Sequence, residues 1–308
     1  MSQHYQDLID RCGPLPPLRT AVVHPVRHSV FEAVTEAVEA GLIEPVLIGP
    51  AARIAAALTE AGHDPGGYEI VDTEHSHAAA RTAAQMASAG QVGAIMKGSL
   101  HSDELLEAVI DPACGLRTER RISHAFLMIS KDYPRPFIIT DAAVNIAPGL
   151  AHKVDIVQNA VAMWRVLWGP ERPRVAILAA VETVNPQMQA TLDAAALCKM
   201  ADRGQITDAR LDGPLAFDNA VSQQAAREKG IVSEVAGLAD IMLVPDIESG
   251  NMLAKQLIFM GGADAAGLVL GARVPIMLTS RADSVRARLL SCALAVLMAE
   301  GRRKGQIK

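Results

Sequence analysis

Val274-Pro275-Ile276-Met277-Leu278-Thr279-Ser280-Arg281-Ala282-Asp283-Ser284 joins an apolar run to a helical pattern through the short polar turn Thr-Ser-Arg. The apolar run reads as a buried strand. A hydroxyl and a guanidinium therefore fall at the carboxyl end of a strand, beside the positive end of a helix. Open α/β folds bind their ligands outside the carboxyl ends of their strands. Backbone N–H groups, a helix dipole and an Arg fork together make a receptor suited to phosphate.

The same alternation extends through the chain. Strands are predicted at Ala21–His24, Pro45–Ile48, Tyr68–Val71, Val92–Met96, Pro136–Thr140, Arg174–Ala179, Ile241–Val244, Gly267–Leu270 and Pro275–Leu278. Amphipathic stretches lie between them, at Arg27–Ala40, Ala51–Ala61, His77–Ala89, Ala151–Leu167, Pro186–Ala201 and Asn219–Glu228. This pattern predicts an α/β fold with a largely parallel sheet covered on both faces, because its strands are apolar on both sides. Half of the 308 residues are hydrophobic but only 3% are aromatic, so Ala, Val, Leu, Ile and Met must build the core. That composition favours helices on a sheet over a β-sandwich. The length accommodates two domains. Taking Ser130–Pro136 and Gly261–Gly267 as crossovers gives a first α/β domain at 1–128 and 267–308 and a second at 129–266. Ser280 and Arg281 then face the cleft between them.

A net charge of −5 argues against a general nucleic-acid binder. Cys12, Cys114, Cys198 and Cys292 are scattered with no C-x-x-C pair, so free thiols in a reducing compartment are expected. The stretch Met1–Leu18 has no apolar core of a secretion signal, and Leu289–Ala299 is too short to span a bilayer. A cytoplasmic protein with no membrane partner is the expectation.

Four segments place small and polar residues directly after an apolar strand: Met96-Lys97-Gly98-Ser99, Thr140-Asp141-Ala142-Ala143-Val144-Asn145, Pro245-Asp246-Ile247-Glu248-Ser249-Gly250-Asn251 and Thr279-Ser280-Arg281. In a parallel sheet they would lie along one edge and converge. Each taken singly also reads as an ordinary βα turn with a helix cap. Asp246 and Glu248 read equally as solvated caps or as part of a helix start that, with Lys255, holds an anion. Gly115-Leu116-Arg117-Thr118 with Arg120 and Arg121 is the densest basic cluster of the first half. It reads as a solvated loop or as the source of a second guanidinium. His75-Ser76-His77 lacks a third metal ligand and reads as a polar helix start. His24-Pro25-Val26-Arg27-His28 follows a strand and reads either as bordering the expected cleft or as a helix start capped by its histidines. Dinucleotide, Walker and nucleophile-elbow motifs are missing from the sequence.

Taken in order, Met96-Lys97-Gly98, Gly115-Leu116-Arg117-Thr118, Thr140–Asn145, Gly213-Pro214-Leu215-Ala216-Phe217-Asp218-Asn219-Ala220, Pro245–Asn251 and Ser280-Arg281 resemble the phosphate acetyl/butyryltransferase family over roughly residues 20 to 300. The resemblance implies a two-domain fold like that of the isocitrate and isopropylmalate dehydrogenases, with the active site between the domains. It implies the reaction acyl-CoA + phosphate ⇌ acyl phosphate + CoA, by direct transfer in a ternary complex. It further implies a homodimer or larger homo-oligomer. No metal and no permanently bound cofactor is expected, and coenzyme A is substrate or product.

Within that resemblance, Arg117 and Arg281 clamp and neutralise the phosphate. Ser280 donates a hydrogen bond to the developing oxyanion or orients the thiol, a type of contact worth roughly 3 kcal/mol when preorganised. It is not read as an acylated nucleophile, since no His is paired with it. Lys97, Asn145, Glu248, Asn251 and Lys255 are the further expected phosphate and CoA contacts. Acetyl-specific members usually carry an Asp seven residues after this Ser, where this chain has Ala287. Asp283 is then the expected proton acceptor, with helix N-cap as its alternative role. The same departure looks more like the butyryltransferase-like branch. Two competing readings are a metal- and NAD-dependent β-decarboxylating dehydrogenase, for which Asp240, Asp246 and Asp264 make a poor ligand set, and a non-catalytic acyl-CoA or phosphate-binding module.

Overall fold

Eleven strands are hydrogen-bonded side by side in the computed structural model, which describes residues 3–278 and 283–307. They are β1 (Leu18–Val23), β2 (Ile43–Gly49), β3 (Glu69–Asp72), β4 (Ala94–Lys97), β5 (Ser123–Ile129), β6 (Phe137–Thr140), β7 (Arg174–Leu178), β8 (Arg210–Leu215), β9 (Ile241–Leu243), β10 (Asp264–Leu270) and β11 (Ile276–Met277). The helices are α1 (Gln3–Asp10), α2 (His28–Glu39), α3 (Ala51–Glu60), α4 (Ser76–Ser88), α5 (Ser102–Ile110), α6 (Leu150–Trp168), α7 (Gln189–Asp202), α8 (Phe217–Val221), α9 (Gln223–Glu228), α10 (Ile247–Phe259) and α11 (Val285–Arg303). The strand order is β3-β2-β1-β4-β11-β10-β5-β6-β9-β7-β8.

The fold is α/β with a mostly parallel, mixed sheet. β1 to β4 and β11 run one way; β10 is antiparallel to both its neighbours, and β5 is antiparallel to β6. β6, β9, β7 and β8 are mutually parallel. Following these pairings across the sheet, the second group runs opposite to the first. The strand ends expected to share one edge are therefore split. Met96–Ser99 and the end of β11 lie at one end of the sheet, and the segments after β6 and β9 lie at the other.

Two strands were not anticipated. β5 carries a histidine in an apolar run, directly after the basic cluster. β8 includes Gly213-Pro214, which reads as a turn, but β8 is the outermost strand, where a missing N–H is tolerated. Gly213 is required there, because a Cβ would approach the Ile177 Cβ and carbonyl oxygen to 2.7 Å. Gly261–Gly267 is also only partly a connection, since β10 begins at Asp264.

Strand alternation distributes the core onto two faces. On one face a continuous apolar cluster runs beneath both halves, from Val22, Leu47 and Met96 through Leu127 and Ile138 to Ile177 and Leu243. Helices α2, α3, α6 and α11 cover it with Phe31, Ile54, Val161 and Leu294. On the other face the apolar residues form two separate clusters. One packs Val23, Ile48 and Ile95 under α4 and α5; the other packs Ile139, Ala176 and Met242 under α8 and α10. Helix α4 turns Ala79, Ala80, Ala83 and Ala84 inward, small side chains that let it approach the sheet closely.

Candidate active site

The order of β1, β2 and β4 creates a topological switch point. The chain leaves β1 for β2 on one side, while β4 lies on the other. A crevice opens at such a point, outside the strand carboxyl ends. Here Gly98 N–H donates to the Val23 carbonyl at 2.9 Å and Ser99 N–H to the His24 carbonyl at 3.0 Å. A side chain at Gly98 would run into the Val23 carbonyl oxygen, so the close approach of the two segments demands glycine.

His24 adopts a left-handed backbone, φ 55°, uncommon for a residue with a Cβ. Its N–H donates to Ile48 O at 2.6 Å and its carbonyl accepts from Val26 at 2.9 Å. The side chain is buried, and Nδ1 has no hydrogen-bond partner among the described residues; Ser99 Oγ, nearby, is in the same condition. Burial pushes the imidazole below its usual pKa, and the charge of Arg53 adds to the shift, so the ring is neutral at pH 7. Lys97, at the end of β4, is half-buried and donates to Leu100 O at 3.3 Å. Helix α5 starts just beyond, with its first N–H groups at the same end of the sheet.

β11 pairs with β4 through Ile276–Ile95 and Met277–Met96, so the chain after β11 emerges beside Lys97. Ser280 and Arg281 belong to 279–282 and lie outside the described residues. Helix α11 is capped by Ser284, whose Oγ accepts from Ala287 N–H at 3.1 Å. Ser284 thereby takes the capping role considered for Asp283. The Asp283 carbonyl accepts from Arg288 Nη2 at 2.9 Å.

Arg117 is not brought to this end. It bridges to Ala272, in the turn that precedes β11, whereas Arg281 follows that strand. Its side chain joins residues of α6 and α11, which cover the opposite face from α5. The expected pairing of Arg117 with the Lys97 end is therefore not what the sheet directions give.

The segments after β6 and β9 form a second assembly. The Asp141 carboxylate accepts from Ala143 and Val144 N–H at 3.0 Å and from Asn145 Nδ2 at 2.6 Å. Asn145 is buried; it also donates to Ile122 O at 2.9 Å and accepts from Arg121. Its amide is thus committed to holding the segment against β5. Asp246 caps α10, accepting from Ser249 N–H at 2.8 Å. Asn251 donates to Ala142 O at 3.2 Å, and Gly250 fits against Ala142, where a Cβ would lie 3.1 Å from its Cα. Glu248 and Lys255 are exposed on the same helix.

His75 caps α4 through Nδ1, which accepts from Ala78 N–H at 3.1 Å, as expected for a polar helix start. Asp240 is held by Arg174 at 2.8 Å and Asp264 by Arg286 at 2.6 Å. Carboxylates neutralised in this way do not make the acidic cluster a metal-dependent dehydrogenase needs. His24 and Ser99 are the crevice residues whose importance sequence reading underrated; a His after a strand carries little signal until its burial is known.

The sequence from 76 to 296 matches the family model described as phosphate acetyl/butaryl transferase. The chain is 55% identical to a phosphate acetyltransferase of Rhizobium meliloti, over 98% of this chain and 96% of that protein. It is 38% identical to a phosphate butyryltransferase of Clostridium acetobutylicum, over 97% and 99%. The crystal structure of a branched-chain phosphotransacylase from Enterococcus faecalis V583 superposes with a TM-score of 0.80 at 27% identity, covering 92% of this chain and 99% of that one. Between these two curated relatives, the identities run opposite to the butyryltransferase leaning suggested by Ala287. The likeness extends through both halves of the sheet and over nearly the whole chain, so the protein belongs to the phosphate acetyl/butaryl transferase family and is a phosphate acyltransferase.

Proposed function

We propose that transfer between CoA and phosphate takes place at the carboxyl ends of β1, β4 and β11, with acetyl-CoA as the preferred acyl donor. The observation that carries this location is the pair of buried polar atoms without partners among the described residues, His24 Nδ1 and Ser99 Oγ, at the switch-point crevice. Leaving such an atom unsatisfied costs about 1–3 kcal/mol, which a bound substrate can recover. The acetyl preference rests on the higher identity to the acetyltransferase.

Phosphate is held by Arg281 and Lys97. One of its oxygens attacks the thioester carbonyl carbon, and the carbonyl oxygen takes up the negative charge that Ser280 stabilises by a hydrogen bond. The C–S bond then breaks, and the proton given up by phosphate passes through the Asp283 carboxylate to the thiolate sulfur. In reverse, Asp283 takes the thiol proton and the thiolate attacks acyl phosphate. The Ser284 cap supports this role, since the helix does not call on Asp283 for it. His24, neutral at its position, offers a hydrogen bond to the substrate. Asn145, Glu248, Asn251 and Lys255 follow β6 and β9 at the other end of the sheet and take no part in the transfer step. Arg117 is left out of the transfer centre. CoA enters and leaves as a substrate, with no resident cofactor.

The domain organisation that suits this reading has residues 1–128 and 267–308 as one unit and 129–266 as the other, in the manner of the isocitrate and isopropylmalate dehydrogenases. Two separate apolar clusters on one face of the sheet are what a cleft between such units requires. A homodimer or larger assembly is part of the proposal, supported by the exposed apolar side chains of Met252 and Phe259 on α10, Met260 just after it, and Ile146 in the segment after β6. A cytoplasmic location fits the four free thiols. No described helix is long and apolar enough to cross a membrane.

The test follows thiol release from acetyl-, propionyl- and butyryl-CoA in phosphate, with and without added metal and NAD. Acetyl-CoA is expected to react best, with no requirement for either addition. Ser280→Ala should lower kcat on the order of 10²–10³-fold, and Lys97→Ala should raise KM for phosphate. Full activity in both variants would remove the transfer centre from this end of the sheet.

A further inference from the structure

We propose that the protein has a second anion site, separate from the transfer centre, that takes a phosphorylated small molecule of about nucleotide size. It lies in a cavity of about 620 Å³ between the β10–β11 turn, α6 and the last turns of α11. That volume is within the range of small-molecule sites. Four arginines, Arg117, Arg120, Arg273 and Arg302, line it, and Glu119 is the one carboxylate among the described residues that line it.

The arginines come from three separate parts of the chain. Arg117 and Arg120 precede β5, Arg273 is in the turn before β11, and Arg302 closes α11. The turn is rigidly built: Thr118 Oγ1 donates to Gly271 O at 2.7 Å, Arg273 N–H donates to Leu116 O at 2.9 Å, and Arg302 Nη2 donates to Ala272 O at 3.0 Å. Arg120 Nη1 reaches Gln158 O at 3.3 Å. The side chains of Arg117 and Arg273 make no hydrogen bond or ion pair with any described residue, so their forks are available to a ligand. Arg19, Arg165, Arg210, Arg286 and Arg303, by contrast, each hold a carboxylate.

Convergent guanidinium groups select phosphate or carboxylate oxygens through paired N–H bonds. The remaining walls are apolar, with Leu270, Val274 and Met298 beside the arginines. A charged head against an apolar floor suits a phosphate ester carrying a base or carbon skeleton better than a bare inorganic ion. The cavity is at the amino end of β11, with the transfer centre beyond its carboxyl end, so one ligand phosphate does not serve both.

The experiment titrates the full-length protein with pyrophosphate and with ADP by calorimetry, comparing wild type, the double variant Arg120→Ser/Arg273→Ser, and Lys97→Ala. Both arginines are exposed, so the double variant should keep its melting temperature. We expect saturable binding, tighter for ADP than for pyrophosphate. It should weaken at least tenfold in the double variant, survive in Lys97→Ala, and leave KM for CoA unchanged in the double variant. Wild-type-like binding by the double variant, or no saturable binding by the wild type, overturns the site. A raised KM for CoA in the double variant overturns its separateness, because the cavity would then belong to the CoA path.

Discussion

His124 sits on β5 with its side chain fully enclosed and its Nδ1 unpartnered among the described residues. The Phe126 ring meets it edge-on at 4.3 Å, and Gly267 leaves the space it needs: a Cβ there would come within 2.7 Å of Nε2. Burial pushes the imidazole pKa down to about 4, opposed only in part by the Asp141 carboxylate. A folded-state value below the unfolded one means that the unfolded chain binds the proton more readily. The stabilisation from keeping His124 neutral is therefore complete above pH 6.5 and is lost as pH falls from about 6.5 towards about 4. Urea midpoints measured from pH 7.5 to 4.5 should fall less steeply in His124→Gln than in wild type; parallel curves would deny His124 this part. Nothing in the linear sequence distinguishes this histidine from the capping His75. Asn145 teaches the same lesson. Its place in a polar segment after a strand was legible, but its commitment to Ile122, Asp141 and Arg121 depends on which strand lies next door.

At the scale of elements, the contact between the ends of β1 and β4 positions the crevice, and Gly98 permits it. Its Cβ position lies 3.1 Å from both the carbonyl carbon and oxygen of His24, and those backbone atoms cannot move without disturbing β1. Gly98→Ala should cost about 1–3 kcal/mol, the usual penalty for overpacking. Gly67→Ala, where no atom lies within 4 Å, serves as the control and should stay close to wild type in urea unfolding. Equal midpoints for the two variants would show that the crevice yields. Most elements could be read from periodicity because a strand buried on both sides has no polar positions, while its covering helix does. β8 escaped that reading since edge strands accept Gly and Pro, and the reversal of β10 escaped because strand direction leaves no mark on composition.

For the whole molecule, the unequal treatment of the two faces matters most. One apolar cluster passes under both halves of the sheet, so neither half can expose its share without disrupting the other. Heat unfolding followed by calorimetry should therefore show one cooperative transition, in spite of the two-unit organisation proposed above. Two resolved transitions would mean that the shared cluster does not couple them.

The sequence by itself determined the α/β class, the strand ends that carry polar residues, the free-thiol chemistry and, through ordered motifs along the chain, the family. These follow from local patterns of side-chain polarity and from residue order, both of which are written in one dimension. Only the tertiary structure decided which of those strand ends meet. Reversal of the second half of the sheet separates the segments after β6 and β9 from the Lys97 end, and the bridge to Ala272 puts Arg117 at the amino end of β11, beside a different cavity. Strand direction is set by pairing between residues far apart in the chain, through backbone hydrogen bonds that every residue type can make, so no local pattern encodes it.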